Sequence, residues 1–207
     1  MDDSLNQIAA EVSACTRCSL HQTRGKAVPG EGNPNAHIMF IGEGPGFHEN
    51  ESGRPFVGAA GEFLNELLNE IGLSRNDVFI CNVVKCRPPG NRDPEPGEIV
   101  ACSDYLERQI RLINPKVIVT LGRFSMARWF PEARISAIHG KPRKVDNRII
   151  VPMFHPAAAL HRPDLKPTVI ADFKRLPAFV AELSSTEKST STDAEEHKDQ
   201  AQQLRLF

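Results

Sequence analysis

The stretch Ile38-Met39-Phe40-Ile41-Gly42-Glu43-Gly44-Pro45-Gly46 decides the fold. An uninterrupted apolar run of strand length ends in a loop of three glycines and one proline, the pattern of a buried strand delivering its carboxyl end to a loop. Glycines at 42, 44 and 46 let the backbone come close to a ligand, and Pro45 stiffens the loop. Gly53-Arg54-Pro55-Phe56-Val57-Gly58 comes shortly afterwards. It stands ahead of Phe63, Leu64, Leu67, Leu68 and Ile71, which recur at helical spacing over residues 58–72.

Outward from this stretch, strand-like runs at 36–42, 78–84, 116–121 and 149–153 alternate with helical segments at 58–72, 95–113 and about 123–130. Such alternation predicts an α/β fold: three αβα layers around a central, mainly parallel, four-stranded sheet. Ligands of such sheets bind beyond the carboxyl ends of the strands, where Gly42, Asn82 and His155 all fall. A short helix over 3–13 precedes the sheet, and residues 87–97 form a Pro/Gly-rich loop. An apolar stripe of Val169, Ile170, Phe173, Leu176, Val180 and Leu183 closes the body over 165–183, with Pro177 expected to kink or interrupt it.

Composition bounds the rest. A chain of 207 residues with 40% hydrophobic content buries one substantial core, which predicts a single domain over 1–183. From Ser184 the sequence turns to Ser, Thr, Glu, Asp, Lys and Gln, so 184–207 is expected to be a disordered tail. No apolar stretch reaches membrane-spanning length and the polar, acidic N-terminus lacks a signal-peptide pattern; a cytoplasmic monomer is expected. Net charge is −1, but the tail holds three basic against five acidic residues, leaving the body at +1. That mild charge neither demands nor excludes a polyanionic partner.

Five cysteines in a reducing compartment favour metal ligation over disulfides. Cys15-x2-Cys18 puts two thiols on one turn, while Cys86 and Cys102 stand fifteen residues apart across a loop and a helical turn. Convergence of the four would suit zinc or an iron–sulfur centre, and the spacing leaves both open. Cys81, inside a strand, reads as core.

Taken in order, the Gly42–Gly46 loop, Phe56, Asn82, the stretch Phe154-His155-Pro156-Ala157-Ala158-Ala159-Leu160 and the four spaced cysteines resemble the iron–sulfur, family-four branch of the uracil-DNA glycosylase superfamily, over roughly residues 10–183. The resemblance implies hydrolysis of the N-glycosidic bond of an extruded deoxyuridine, starting base-excision repair, with a four-iron, four-sulfur cluster on Cys15, Cys18, Cys86 and Cys102. It implies a substrate pocket of Gly42, Gly44, Phe56, Asn82 and His155. Phe56 would supply a stacking face, Asn82 would meet the polar edge of the base, and His155 would donate to its carbonyl as charge accumulates. Of the two nearby carboxylates, Glu49 is expected to contribute to catalysis and Glu43 to brace the loop. The chain departs from the family's acidic run at Phe47, His48 and Asn50, and has Ala159 where leucine is common.

A related branch binds uracil-DNA covalently and carries a basic, histidine-containing insertion after the Asn motif. The segment Pro88-Pro89-Gly90-Asn91-Arg92-Asp93-Pro94 has none, so a hydrolase that turns over is expected rather than a covalent or noncatalytic uracil-DNA binder. A plain iron–sulfur redox protein would leave Asn82 and His155 without a task. For DNA, Lys85, Arg87, Arg92, Lys141, Arg143, Lys144 and Arg162 flank the motif loops and are expected to meet phosphates. Leu160, His161 and Arg162 sit where a side chain could fill the gap left by the extruded nucleotide. At the C-terminus, Gln203, Leu204, Leu206 and Phe207 stand out in a polar tail and resemble the short peptide by which bacterial repair and replication proteins dock on the sliding clamp.

Overall fold

The computed structural model describes residues 3–181. Its first half holds α1 (Leu5–Ala14), β1 (Glu31–Gly32), β2 (Ile38–Gly42), α2 (Phe47–Ser52), α3 (Ala59–Glu70) and β3 (Phe79–Asn82). Then follow α4 (Pro96–Ile113), β4 (Val117–Leu121), α5 (Arg123–Ala127), α6 (Ile135–Ile138), β5 (Arg143–Val145), β6 (Arg148–Met153), α7 (Pro156–His161) and α8 (Lys166–Lys174). The expected boundary at 183/184 and the whole tail, including Gln203, Leu204, Leu206 and Phe207, lie outside the described residues. No helix among the described residues is long and apolar enough to cross a membrane.

Alternation inside the apolar runs builds the layers, because successive strand side chains point to opposite faces. Phe40, Ile80, Val117, Val119, Ile149 and Val151 pack on one face with the α3 residues Leu64, Leu67 and Leu68 and with Phe173 of α8. Met39, Ile41, Phe79, Cys81, Ile118 and Ile150 pack on the other, against Ile8 and Val12 of α1 and Tyr105, Leu106 and Ile110 of α4. Cys81 is fully buried in that second layer, as its strand position implied.

The sheet runs β1-β3-β2-β4-β6-β5. Its four central strands are parallel, and β1 and β5 are antiparallel edges. The expected four-stranded parallel core is therefore present, with two short edge strands that the sequence did not announce. Register carries the function: Gly42 lies beside Asn82 and Leu121 beside Met153, so the four strands end at one level and their loops open on one side. Near the C-terminus of the described chain the helix α8 ends at Lys174, with a turn at Arg175 before helix resumes ahead of Pro177. The interruption lets Pro177 sit in the first turn of a new segment, where its missing N–H costs nothing.

Candidate functional site

Two strand ends and one loop supply the side chains that form the floor and walls of a cavity of about 390 Å³ at the carboxyl edge of the sheet: Asn82 at the end of β3, His155 after β6, and Phe56 in the loop between α2 and α3. Glu43, Gly44 and Glu49 line it as well. Gly42 is the hinge of this arrangement. A Cβ there would stand 2.4 Å from Asn82 Oδ1 and 2.7 Å from Phe56 Cζ, so only glycine lets strand, amide and ring meet.

Phe56 adopts φ +52°, a left-handed conformation that bulky residues rarely take. It is held there from behind. Arg75 donates to the carbonyls of Pro55 (2.5 Å) and Phe56 (3.0 Å) while Glu31 accepts two bonds from the same guanidinium. The ring lies nearly parallel to that of His155, with centroids 5.4 Å apart.

His155 caps α7: its Nδ1 accepts the Ala157 N–H at 3.1 Å. Burial lowers its pKa to about 4, against an opposing push from the Glu49 charge. The imidazole is therefore neutral near pH 7, and because Nδ1 is an acceptor its proton rests on Nε2. Asn82 is 2% exposed, and its Oδ1 is buried without any hydrogen-bond partner among the described residues. A buried, unpaired amide oxygen is costly unless a ligand supplies the missing donor.

The two carboxylates differ in how they are held. Glu49 accepts the backbone N–H groups of Val57 (2.8 Å), Gly58 (3.0 Å) and Gly46 (3.1 Å), tying the start of α2 to the start of α3. Burial raises its pKa, but the hydrogen bonds from Gly58, Val57 and Gly46 outweigh that and hold the carboxyl below its ordinary range. Glu49 is thus the brace. Glu43 makes no side-chain hydrogen bond among the described residues; burial, helped by the Asp93 charge and opposed by Arg123, raises its pKa. Two of the donors that occupy Glu49 come from the loop before α3, eight and nine residues away, which no local pattern records.

Around the mouth the expected cations separate. Lys85 is not among them: it is 1% exposed, its Nζ donating to the Asn82 carbonyl (2.9 Å) and to Gln109 Oε1 (2.6 Å), so it reaches no phosphate. Arg92 lines the pocket but is neutralised by Glu98 and Glu95. Arg87 lies over the ring of Phe47, which is 55% exposed, and pairs with no carboxylate among the described residues. Leu160, His161 and Arg162 are exposed at the end of α7, with Arg162 paired to Asp164, whereas Ala159 is buried. Arg143 and Lys144 are exposed on edge strand β5, opposite Ile150 and Ile149 and so away from the carboxyl ends. Lys141 is exposed just before that strand, its Nζ on the Ala137 carbonyl. A larger open cleft of about 740 Å³ lies along Glu31, Arg54 and Arg75, but Glu31 already satisfies both arginines.

On the opposite face of the sheet, Cys15, Cys18, Cys86 and Cys102 line one small cavity between α1 and α4. Three of their sulfurs already accept N–H groups: Cys86 from Arg24 (3.1 Å), Cys102 from the Lys85 backbone (3.3 Å) and Cys15 from the Arg17 backbone (3.5 Å). Burial pushes the Cys102 thiol to about 11 and raises Cys86 as well. Among the described residues no group of three or more potential ligands is arranged to hold a single metal ion. Four thiols around one cavity, three of them receiving N–H groups, are a donor set that a thiolate-ligated centre would fit.

Residues 29–176 match the model of the uracil DNA glycosylase superfamily. The type-4 uracil-DNA glycosylase of Sulfurisphaera tokodaii is 50% identical over 201 residues, covering 92% of this chain and 90% of that protein. That of Saccharolobus solfataricus is 50% identical over 184 residues (84% and 85%), and that of Archaeoglobus fulgidus 46% over 183 (84% and 92%). The chain belongs to the uracil-DNA glycosylase superfamily, in the type-4 branch.

Proposed function

We propose that this protein is a uracil-DNA glycosylase that hydrolyses the N-glycosidic bond of deoxyuridine extruded from DNA, the opening step of base-excision repair. The buried, unpartnered Oδ1 of Asn82 carries the reading. Uracil brings an N–H to that acceptor beside a carbonyl for the side-chain amide's N–H, a pattern that cytosine's edge reverses. Phe56 supports the ring. The Nε2–H of His155 faces a carbonyl on which negative charge grows as the bond breaks, and a neutral imidazole supplies that hydrogen bond without being spent as an acid. Glu43, free of hydrogen bonds and half-buried, orients the attacking water; Glu49, ionised and fixed, lends negative charge opposite the cationic sugar while holding the loop.

Cys15, Cys18, Cys86 and Cys102 hold a four-iron, four-sulfur cluster in this reading, which joins the N-terminal segment to the sheet and orders the loop after Cys86. Arg87, Leu160, His161 and Arg162 meet the DNA. The enzyme works as a cytoplasmic monomer, and residues 203–207 dock on a sliding clamp, which raises its local concentration at replicated DNA.

Free uracil and abasic sites should accumulate over many turnovers when the purified protein meets uracil-containing oligonucleotides, single- or double-stranded. A single stoichiometric burst, or binding without release, would sink the assignment. Deleting residues 203–207 should abolish clamp binding and leave excision from free oligonucleotides unchanged.

A further inference from the structure

Lys85 is the one fully buried lysine among the described residues, and nothing in the pocket chemistry uses it directly. Its ammonium has three donors and no acceptor. Two of them meet the Asn82 carbonyl at 2.9 Å and Gln109 Oε1 at 2.6 Å, and the buried thiol of Cys81 feels the same charge. Gln109 is itself fixed, its Nε2 donating to the Pro29 carbonyl at 2.7 Å, and the Lys85 carbonyl accepts the Val28 N–H at 2.7 Å. No carboxylate among the described residues pairs with the ammonium, although a buried charge without counter-charge is strongly unfavourable. The groups on which its charge acts, and which can become anionic, are sulfurs. The Lys85 backbone N–H donates to Cys102 Sγ, and its positive charge acts on the Cys102 thiol. Cys86 is its immediate neighbour in the chain.

Asn82, by contrast, has no side-chain hydrogen bond that fixes its amide among the described residues. Only its backbone and contact with Gly42 and Phe56 set the direction of Oδ1.

The geometry points to Lys85 as the positioning residue of the base pocket: a buried cation, balanced by the thiolates of the four-cysteine centre, that clamps the Asn82 backbone and so aims the base-reading amide. This rests on the proposed glycosylase reading and on thiolate ligation at the cysteines. It makes the two sites one electrostatic unit, with a single side chain between them.

The test is a double-mutant cycle on the holo-protein with Lys85→Met, which keeps the chain length and removes the donors, and Asn82→Ala. Single-turnover excision of uracil from an oligonucleotide by Lys85→Met should fall about tenfold, with DNA affinity within twofold of the parent. In the Asn82→Ala background the same substitution should cost less than twofold. Additive losses would overturn the positioning role. The second readout is the cluster's midpoint potential, which should move negative in Lys85→Met because a nearby positive charge has gone; an unchanged potential would overturn the charge balance. If Lys85→Met does not assemble, Gln109→Leu, which removes one acceptor of the ammonium and is itself no cysteine ligand, must show the same non-additivity with Asn82→Ala. A parent protein that releases no uracil would refute the glycosylase reading instead, and leaves the potential measurement to decide the charge balance alone.

Discussion

The base pocket and the four-cysteine corner lie on the two sides of one sheet and are finished to different degrees. In the pocket, acceptors and donors stand unpaired among the described residues: Asn82 Oδ1 has no partner, His155 presents Nε2, and the Glu43 side chain makes no hydrogen bond. At the corner, three of the four sulfurs already receive N–H groups, from Arg24, Arg17 and Lys85. Open valences mark the place where a transient ligand comes and goes; satisfied ones mark a place built for a resident. Preorganised donors facing developing charge are worth most where water is excluded, whereas a permanent centre adds its binding energy to folding.

The comparison would break first at the pocket. His155→Ala and Asn82→Ala should each lower the single-turnover rate by about 10²–10³, the range for removing one such contact, while oligonucleotide affinity stays within a few-fold. Equal losses of rate and affinity would mean that the pocket binds rather than activates. At the corner the expected loss is of stability. Cys102→Ala should cost iron and sulfide together and lower the thermal midpoint by about 10 °C, as a loss of about 3 kcal/mol does in a domain of this size. Stoichiometric zinc in the parent protein, without sulfide, would overturn the cluster.

Acid separates the two glutamates. A base works ionised, and burial raises the pKa of Glu43, so the rate should decline on acidification at a pH above the ordinary carboxylate range. Glu43→Gln should remove that limb at a cost of about 10²-fold in rate. Glu49→Gln should keep the limb but loosen the loop, read as faster amide exchange at Val57 and Gly58. His155 adds no limb between pH 5 and 8. Its folded pKa, near 4, lies below the unfolded one, so its contribution to stability is complete above about pH 6.5 and is lost as pH falls towards 4. The smallest effect belongs to Arg75→Lys, which keeps the charge but not the fork that holds two carbonyls; a roughly threefold rise in KM with little change in kcat would show that Phe56 is held for stacking.

Much of this was legible in the chain because the fold uses uninterrupted apolar runs. The runs containing Ile38, Phe79, Val117 and Ile149 could only be buried strands, and the residues just past their ends had to share a level. The edges were not legible: β1 is two residues long, and β5 is the polar Arg143-Lys144-Val145, indistinguishable from loop until it pairs. Helix α2 was hidden by its polar sequence, and α7 by the Pro156-Ala157 start that reads as a signature before it reads as a first turn. The burial of Lys85 and the bracing by Glu49 were missed for one reason. Where a charged side chain finds its partners depends on atoms brought by distant segments, Gln109 for the first and Gly58 for the second, and no periodicity records that.

The contact between Gly42 and the pair Asn82 and Phe56 also bears on how the protein can change over generations. A single methyl at position 42 would collide with both the Asn82 amide and the Phe56 ring, so no one substitution there can adjust the pocket gradually. Any lineage drifting towards another base must alter the loop at 56 or the amide at 82 first, and position 42 last.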